Sequence, residues 1–276
     1  MTSDKPVTPP DDMAEDTTRL APSYGEQVLA IADVEIRKLL RDPTEVFSRS
    51  VQPMLWLLVF GQVFSKLRDI PTGGLSYLAY MAPGILAQSV LFSAIFFGIS
   101  VIWEKDMGII HKLLVSPAPR SALVLGKAVS SGARGLVQAV IVYLIAFFLH
   151  IELNLSISHV LGVLLAVVLG SAIFSTFSLI IACLVKSRER FMGIGQVLTM
   201  PLFFASNAIY PIALMPDWLK LVAWVNPLTY LVDAMRTLMI QGAQSVEGLA
   251  VDFSVMTLIF VAFVGIATKL YPDLVR

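Results

Sequence analysis

Six apolar stretches, each long enough to cross a lipid bilayer, fill the chain between residues 46 and 271. A transmembrane helix needs about 20 mostly apolar residues, whereas core helices of soluble proteins are shorter and keep a polar face. The pattern predicts spanning helices over Phe47–Phe64, Leu75–Ile102, Val129–Leu149, Ile157–Val185, Phe191–Ile212 and Phe253–Tyr271. We therefore expect an all-α polytopic membrane protein with six transmembrane helices.

The segments before the first span have a different pattern. Residues 1–25 are polar and rich in proline and acidic residues, which predicts a disordered cytoplasmic tail ahead of a membrane domain over 26–276. In residues 26–42, apolar side chains recur at helical spacing and basic residues flank them. This pattern predicts an amphipathic helix lying in the membrane surface. The alternative is a helix whose apolar face packs on a partner domain.

A part-apolar segment, residues 213–252, separates the fifth and sixth predicted spans. It contains Trp218 and Trp224, but also Pro216, Pro227 and too many polar residues for a continuous span. The sequence predicts a short surface or re-entrant helical pair here.

The distribution of charge predicts the orientation. With six crossings and a cytoplasmic N-terminus, sixteen of the 20 Lys and Arg residues lie on the cytoplasmic side. The exterior receives only Lys66, Arg68, Lys220 and Arg236. Because basic residues concentrate on the cytoplasmic side of membrane proteins, we expect both termini in the cytoplasm. Arg49 and Arg134, near span ends, are expected to reach the headgroups.

The composition supports the class of integral membrane proteins, and the sequence offers few residues with catalytic or metal-binding chemistry. The mean hydropathy is +0.78 and only 14% of residues are charged, which agrees with an integral membrane protein. The histidines fall in loops or at span ends, and no metal-binding or nucleophile motif is present. Gly126-Lys127 resembles the end of a P-loop, but Ser121 replaces its first glycine and Ala128 its Ser/Thr. We expect no catalytic, cofactor or metal residues, and any ATP to be hydrolysed by another subunit.

The predicted spans hold almost no ionisable residues, whereas ion-coupled carriers place carboxylates or histidines at mid-membrane. Asp233 and Arg236, in the outer segment, stand three residues apart on a helix, and we expect them to form an ion pair with each other. The chain therefore has the character of a passive, moving membrane domain rather than a self-powered pump.

The loop over residues 103–128 carries the most informative pattern. Between Gly108 and Ser116, Ile109/Leu113 and Ile110/Leu114 are i, i+4 pairs, and Pro117 and Pro119 follow. The pattern predicts a short helix with an exposed apolar stripe. Such a stripe suits docking into a groove of a partner protein or, alternatively, contact with the lipid surface.

Small residues recur every four positions in the fourth predicted span, at Gly162, Ala166 and Gly170. This spacing lets helices approach closely in lipid. The contact could lie within one chain or between two copies.

Two segments resemble the type-2 ABC export permeases, and most closely the daunorubicin-resistance subgroup. The first runs from Glu104 to Arg120 and continues to Lys127; the second comprises residues 207–219 and 226–236. The similarity extends over about residues 28–270. The chain departs from the family pattern at Gly108-Ile109 and at Ser206-Asn207.

The resemblance implies a membrane domain that pairs with a second copy or a sister permease, above two cytoplasmic ATPase subunits that bind ATP and magnesium. It implies a connecting helix over 26–42, a coupling helix within the loop, and a re-entrant pair capping the exit. The implied ATPase-coupling residues are Glu104, Gly108, Ile109, Ile110, Lys112, Leu113, Leu114, Ser116, Pro117 and Arg120. The implied exit-side residues are Asn226, Pro227, Tyr230, Asp233 and Arg236.

The expected function is export of a hydrophobic or amphipathic substrate, drug or lipid-like, across the cytoplasmic membrane, with no nucleic-acid partner. Export of a lipid-linked polysaccharide is the alternative. Two other classes are an assembly factor without transport and an intramembrane enzyme, whose outer carboxylates would be Asp217, Asp233 and Asp252.

Overall fold

The computed structural model describes residues 23–41, 51–64, 72–115, 118–185 and 187–275. The predicted tail and the start of the first predicted span, including Arg49, lie almost entirely outside these ranges. The described residues form helices and no strand; one isolated bridge joins Leu153 to Ile240. The helices are α1 (Tyr24–Arg41), α2 (Val51–Phe64), α3 (Tyr77–Asp106), α4 (Ile109–Val115), α5 (Arg120–Phe148), α6 (Ile157–Leu184), α7 (Arg188–Phe204), α8 (Asp217–Val225), α9 (Pro227–Met239) and α10 (Leu249–Leu270).

Four helices, α3, α5, α6 and α10, are long and apolar enough to cross a membrane. They coincide with four of the six predicted spans, which confirms an all-α, multi-pass membrane protein. The described part of α2, Val51–Phe64, is shorter than a simple span and has a π-helical stretch over Trp56–Gly61. Helix α7 is also shorter than a simple span and ends at Phe204. The count of six crossings stays a prediction.

The fifth predicted span is wrong beyond Phe204, since residues 205–211 leave the helix and turn. Polar side chains take the carbonyl oxygens at the helix end: Ser206 Oγ donates to Phe203 O, and Asn226 Nδ2 donates to Leu202 O and Ala205 O. A helix end inside a packed protein needs such partners. The apolar run in the sequence did not reveal them.

Helices α3 and α6 form the centre of the bundle, and a serine joins them. Ser178 Oγ donates to Ile95 O and accepts a hydrogen bond from the backbone N–H of Gly98. Gly98 has no Cβ, so Phe191 and Ser178 approach its backbone closely. Small residues thus provide the close interhelical contacts of the core.

The Gly162–Gly170 stripe makes its contact within the chain. A Cβ on Gly162 would lie 3.0 Å from Leu238, and one on Gly170 would lie 2.6 Å from Leu231. Both leucines belong to α9, so the stripe is the surface of α6 on which this helix packs.

The predicted helical pair in residues 213–252 is present as α8 and α9, joined at Asn226. Helix α9 is almost wholly buried, whereas α8 exposes Trp218, Leu221 and Val225. Re-entry into the membrane stays a prediction.

The two ends of the bundle differ in what they hold. Helices α1 and α4, the start of α7 and the 3₁₀ turn Tyr271–Val275 lie at one end, here called the loop end. Helices α8 and α9 and residues 205–215 lie with the start of α3 at the opposite end. The first and last described segments are therefore at the same end.

The backbone contact at Gly84 gives a test of this packing. A Cβ there would collide with backbone atoms of Ala208, which cannot rotate away, whereas Gly265 on α10 has no atom within 4 Å. We expect Gly84→Ala to lower the free energy of unfolding by about 1–3 kcal/mol through overpacking. The measurement is thermal unfolding in detergent. Gly265→Ala, the matched control, is expected to be neutral or slightly stabilising because alanine favours helix; equal melting temperatures for both variants would contradict the packing.

Candidate coupling site and the Asn226–Arg236 motif

The loop after α3 folds as a short helix between two long ones, as the sequence predicted. Gly108 has φ = +71°, a conformation that glycine adopts freely, and its N–H bonds Lys105 O. The chain therefore turns sharply from α3 into α4. Pro119 occupies the N-cap position of α5, without a side-chain capping bond. Ser116 and Pro117, predicted coupling residues, lie outside the described residues.

The predicted exposure of the apolar stripe is wrong at its centre. Ile110 is 0% exposed and belongs to a cluster with Val124, Tyr271 and Leu274. Leu113 and Leu114 are half-buried against the same cluster. These side chains leave water by packing on their own chain, which the helical period could not distinguish from packing on a partner.

A different face of the loop is available to a partner. Val115 is 87% exposed and Met107 60%, and Lys112 and Arg120 are exposed as well. Ile109 and Gly108 are half-buried. We call Met107, Lys112 and Val115 the exposed loop face.

A buried ion cluster lies directly behind this loop. Lys127 Nζ is 2.6 Å from Glu104 Oε2 and 3.6 Å from Glu35 Oε1, and Arg134 Nη2 is 3.7 Å from Glu35 Oε2. Lys127, Glu104 and Glu35 are each no more than 5% exposed. Two carboxylates and two cations balance in charge, so the cluster joins α1, α3 and α5 with little net charge at the site.

Aromatic rings close the cluster. Lys127 Nζ is 5.5 Å and the Arg134 guanidinium 4.8 Å from the centre of the Phe97 ring, which favours both cations. The Tyr271 side chain is fully buried beside the carboxylates. Burial raises the pKa of the Tyr271 hydroxyl, and the charges of Glu104 and Glu35 raise it further. The 3₁₀ turn after α10 thus meets the same cluster.

Sequence reasoning named Glu104 as a coupling residue but missed Glu35 and misassigned Arg134. Arg134 does not extend to lipid headgroups; it turns inward to Glu35 and Phe97. The missed signal is in the amphipathic pattern of α1, since Glu35 falls on the same face as Val28 and Ala32. An acidic residue within an apolar stripe indicates a buried partner.

That apolar face of α1 packs on α5. A Cβ on Gly126 would lie 2.6 Å from Ile31, and Ala32 is buried. Leu29 and Val34 remain exposed on the opposite side. The helix predicted over 26–42 is therefore present, and its buried face contacts its own chain rather than a partner domain.

A second contact ties α7 to the loop end. Arg188 stacks 3.6 Å from the ring centre of Trp103, and its Nη2 lies 2.5 Å from Asp106 Oδ2. All three side chains are partly exposed, next to Met107.

At the opposite end, Asn226 and Pro227 begin α9. Asn226 Oδ1 accepts from the N–H of Leu228 while its Nδ2 bonds the end of α7, so one side chain joins two helices. Pro227 stands at the first helical position, where a missing N–H costs nothing. The Tyr230 hydroxyl donates to Trp224 O and holds α8.

Asp233 and Arg236 do not form the predicted ion pair; each bonds a different part of the chain. Asp233 Oδ2 accepts from the N–H of Val246 and from Ser245 Oγ, both at 2.8 Å. Arg236 Nε donates to Tyr80 O at 3.2 Å and Nη2 to Asn207 O at 2.6 Å. The guanidinium also lies 3.7 Å from the Tyr80 ring centre. Arg236 therefore fastens α9 to α3.

The structure brings two of the three outer carboxylates together. Ser245 Oγ lies 2.8 Å from Asp233 Oδ2 and 3.0 Å from Asp252 Oδ2. Asp217 is at the surface, where the hydrogen bond from Lys220 lowers its pKa. None of the described His, Cys, Asp and Glu residues form a group of three or more that could hold a metal ion.

Neutralising Lys127 tests the ion cluster. Lys127→Met leaves Glu35 and Glu104 buried with Arg134, which contacts Glu35, as the one remaining cation of the cluster. We expect a loss of about 3–5 kcal/mol in the free energy of unfolding. Thermal unfolding in detergent measures it. Lys220→Met, which removes a surface pair with Asp217, is the control and should change stability by less than about 0.5 kcal/mol. A Lys127→Met protein as stable as this control would mean that the buried pairs contribute nothing.

Comparison with known proteins assigns the family. The ABC-2 type transporter family matches residues 26–240. The putative transport permease ycf38 of Cyanophora paradoxa is 30% identical over 203 residues, 73% of this chain and 70% of the relative. The inner membrane transport permease YadH of Escherichia coli (strain K12) is 26% identical over 248 residues, 87% of this chain and 92% of the relative.

A third relative, the probable multidrug ABC transporter permease YbhR of Escherichia coli (strain K12), is 28% identical over 171 residues. This match covers 61% of the chain and 46% of the relative. The family match includes α1, the loop with its ion cluster, and the Asn226–Arg236 motif. The chain belongs to the ABC-2 type transporter family.

Proposed function

We propose that this chain is the membrane subunit of an ATP-driven exporter that moves an amphipathic substrate across the cytoplasmic membrane. A separate ATPase subunit pair would bind ATP and magnesium and dock at the loop end. A second copy, or a sister permease, would complete the path. The observation that carries this proposal is α4, a short helix in a member of this family that is buried in the core at Ile110 and exposed at Lys112 and Val115.

The anchoring of α4 supports its role as a coupling helix. A helix that transmits movement must be fixed to the spans on both sides. Ile110 is buried among residues of α5 and the Tyr271–Val275 turn, and Glu104, four residues before Gly108, is bound to Lys127. Displacement of the exposed loop face would therefore carry the ends of α3, α5 and α10 with it.

Helix α1 and the Tyr271–Val275 turn lie at the same end of the bundle, which supports an even number of crossings. With α2 and α7 as the additional spans, the count is six and both termini lie on the ATPase side. The excess of basic residues at the loop end favours the cytoplasm for that side.

A polar side chain in the middle of α3 supports an amphipathic substrate. Gln88 is 2% exposed, and neither its amide oxygen nor its nitrogen has a hydrogen-bond partner. It lines a cavity of about 60 Å³ between α2 and α3, together with Gln52, Phe92 and Phe96. Leaving an amide unpaired in an apolar environment is costly, so a polar group of an amphipathic substrate suits this position, and at about 60 Å³ the cavity holds only a part of such a molecule.

Charging the exposed loop face tests the docking. We expect Met107→Asp/Val115→Asp to reduce co-purification of an ABC ATPase with the tagged permease from its native cells by at least about tenfold, because acidic side chains replace an apolar contact. Mass spectrometry of the purified complex quantifies the ATPase. The melting temperature of the permease should not change, since both side chains are exposed.

Val225→Asp is the matched control, because Val225 is 79% exposed at the opposite end. It should leave ATPase recovery unchanged. Ile110→Asp is unsuitable, since it would bury a carboxylate in the core and unfold the loop end. Undiminished ATPase recovery with the double variant would overturn the docking assignment.

A further inference from the structure

A large, half-open cavity with a few buried polar groups lies at the opposite end, beside the Asn226–Arg236 motif. Its volume is about 570 Å³, and its walls come from the start of α3, residues 207–213, α9 and the 242–246 loop. Tyr80, Asn207, Asp233 and Arg236 line it, and the last three are each at least nine-tenths buried. A cavity of this size with convergent buried polar groups has the form of a ligand site.

The cavity has unused donors on one side. A guanidinium carries five N–H groups, and Arg236 uses Nε and Nη2 for the carbonyl oxygens of Tyr80 and Asn207. Among the described residues no acceptor takes the remaining three N–H groups. The Tyr80 ring and the two carbonyl bonds hold the guanidinium in one orientation. A phosphate or carboxylate matches this fixed set of donors.

The cavity has an unused acceptor as well. Both hydrogen bonds to Asp233 end on Oδ2, so Oδ1 has no donor among the described residues. A carboxylate oxygen without a donor suits an ammonium that carries N–H groups, and a quaternary ammonium offers none.

We propose that this cavity binds the headgroup of a zwitterion that carries a primary ammonium and a phosphate or carboxylate. Arg236 would hold the anionic group, and Asp233 would hold the ammonium. The opposite charges of Arg236 and Asp233 disfavour a ligand of either single sign, since one of the two would repel it. Binding itself is independent of any ATPase; a place for the site on the exit path rests on the proposed function.

The test is binding of dihexanoyl phosphatidylethanolamine to the purified full-length chain in maltoside, measured by calorimetry. We expect saturable binding, at least about tenfold tighter than that of the phosphatidylcholine and phosphatidylglycerol with the same chains, because charged hydrogen bonds are lost with each. Ala213→Trp, at the exposed rim of the cavity, should weaken it by placing an indole ring in the entrance.

Leu214→Trp is the matched control, since Leu214 neighbours Ala213, is 53% exposed and is not part of the cavity wall. It should bind as the parent does. Equal affinity for the three lipids, or undiminished binding by Ala213→Trp, would overturn the proposal. Neither variant alters the Arg236 contacts, so loss of folding does not confuse the result.

A second measurement distinguishes a transported substrate that carries such a headgroup from a membrane lipid that stays bound at the site. In vesicles with the co-purified ATPase, stimulation of ATP hydrolysis by the same phosphatidylethanolamine identifies it as substrate-like. Binding without stimulation identifies an outer-leaflet lipid held at the site. Both results support the site, and a failure of ATPase docking with intact lipid binding would count against the proposed function alone.

Discussion

The contact between Lys127 and Glu104 is the interaction on which the loop end depends. In a protein with so few charged residues, an ion pair buried beneath a short helix carries a large desolvation cost that only its partners offset. Glu35 and Arg134 complete that set, and Phe97 covers it. Removing any one of these charges leaves the others without full compensation in an apolar environment. Helices α1, α3 and α5 and the Tyr271–Val275 turn meet at this cluster and are therefore held together as one unit.

The opposite end is organised by single side chains with several bonds each. Asn226 joins α7 to α9, Asp233 fixes the 245–246 loop, and Arg236 fastens α9 to α3. The polar residues of the Asn226–Arg236 motif, which the sequence presents as candidate functional groups, make structural contacts in the fold. Any role in binding uses the hydrogen-bonding capacity that these contacts leave over.

The sequence predicted the long apolar helices well, because continuous hydrophobicity over 20 or more residues has one main solution in lipid. It predicted α4 from its period and its flanking glycine and prolines. It could not say which surface covers Ile110, since a helical period defines a face but not the partner. The end of α7 at Phe204 and the Glu35 contacts depend on side chains distant in the sequence, so local pattern could not reveal them.

Helix α3 contacts both the ion cluster at the loop end and Arg236 at the opposite end. Its 30 residues span about 45 Å, with Tyr80 near one end and Glu104 near the other. Pro83 interrupts the hydrogen-bond ladder one turn from Tyr80, where bending is easiest. A tilt of α3 imposed at Glu104 would be absorbed by bending of the helix at Pro83. The turn that holds Tyr80 against Arg236 could then keep its place while the loop end moves.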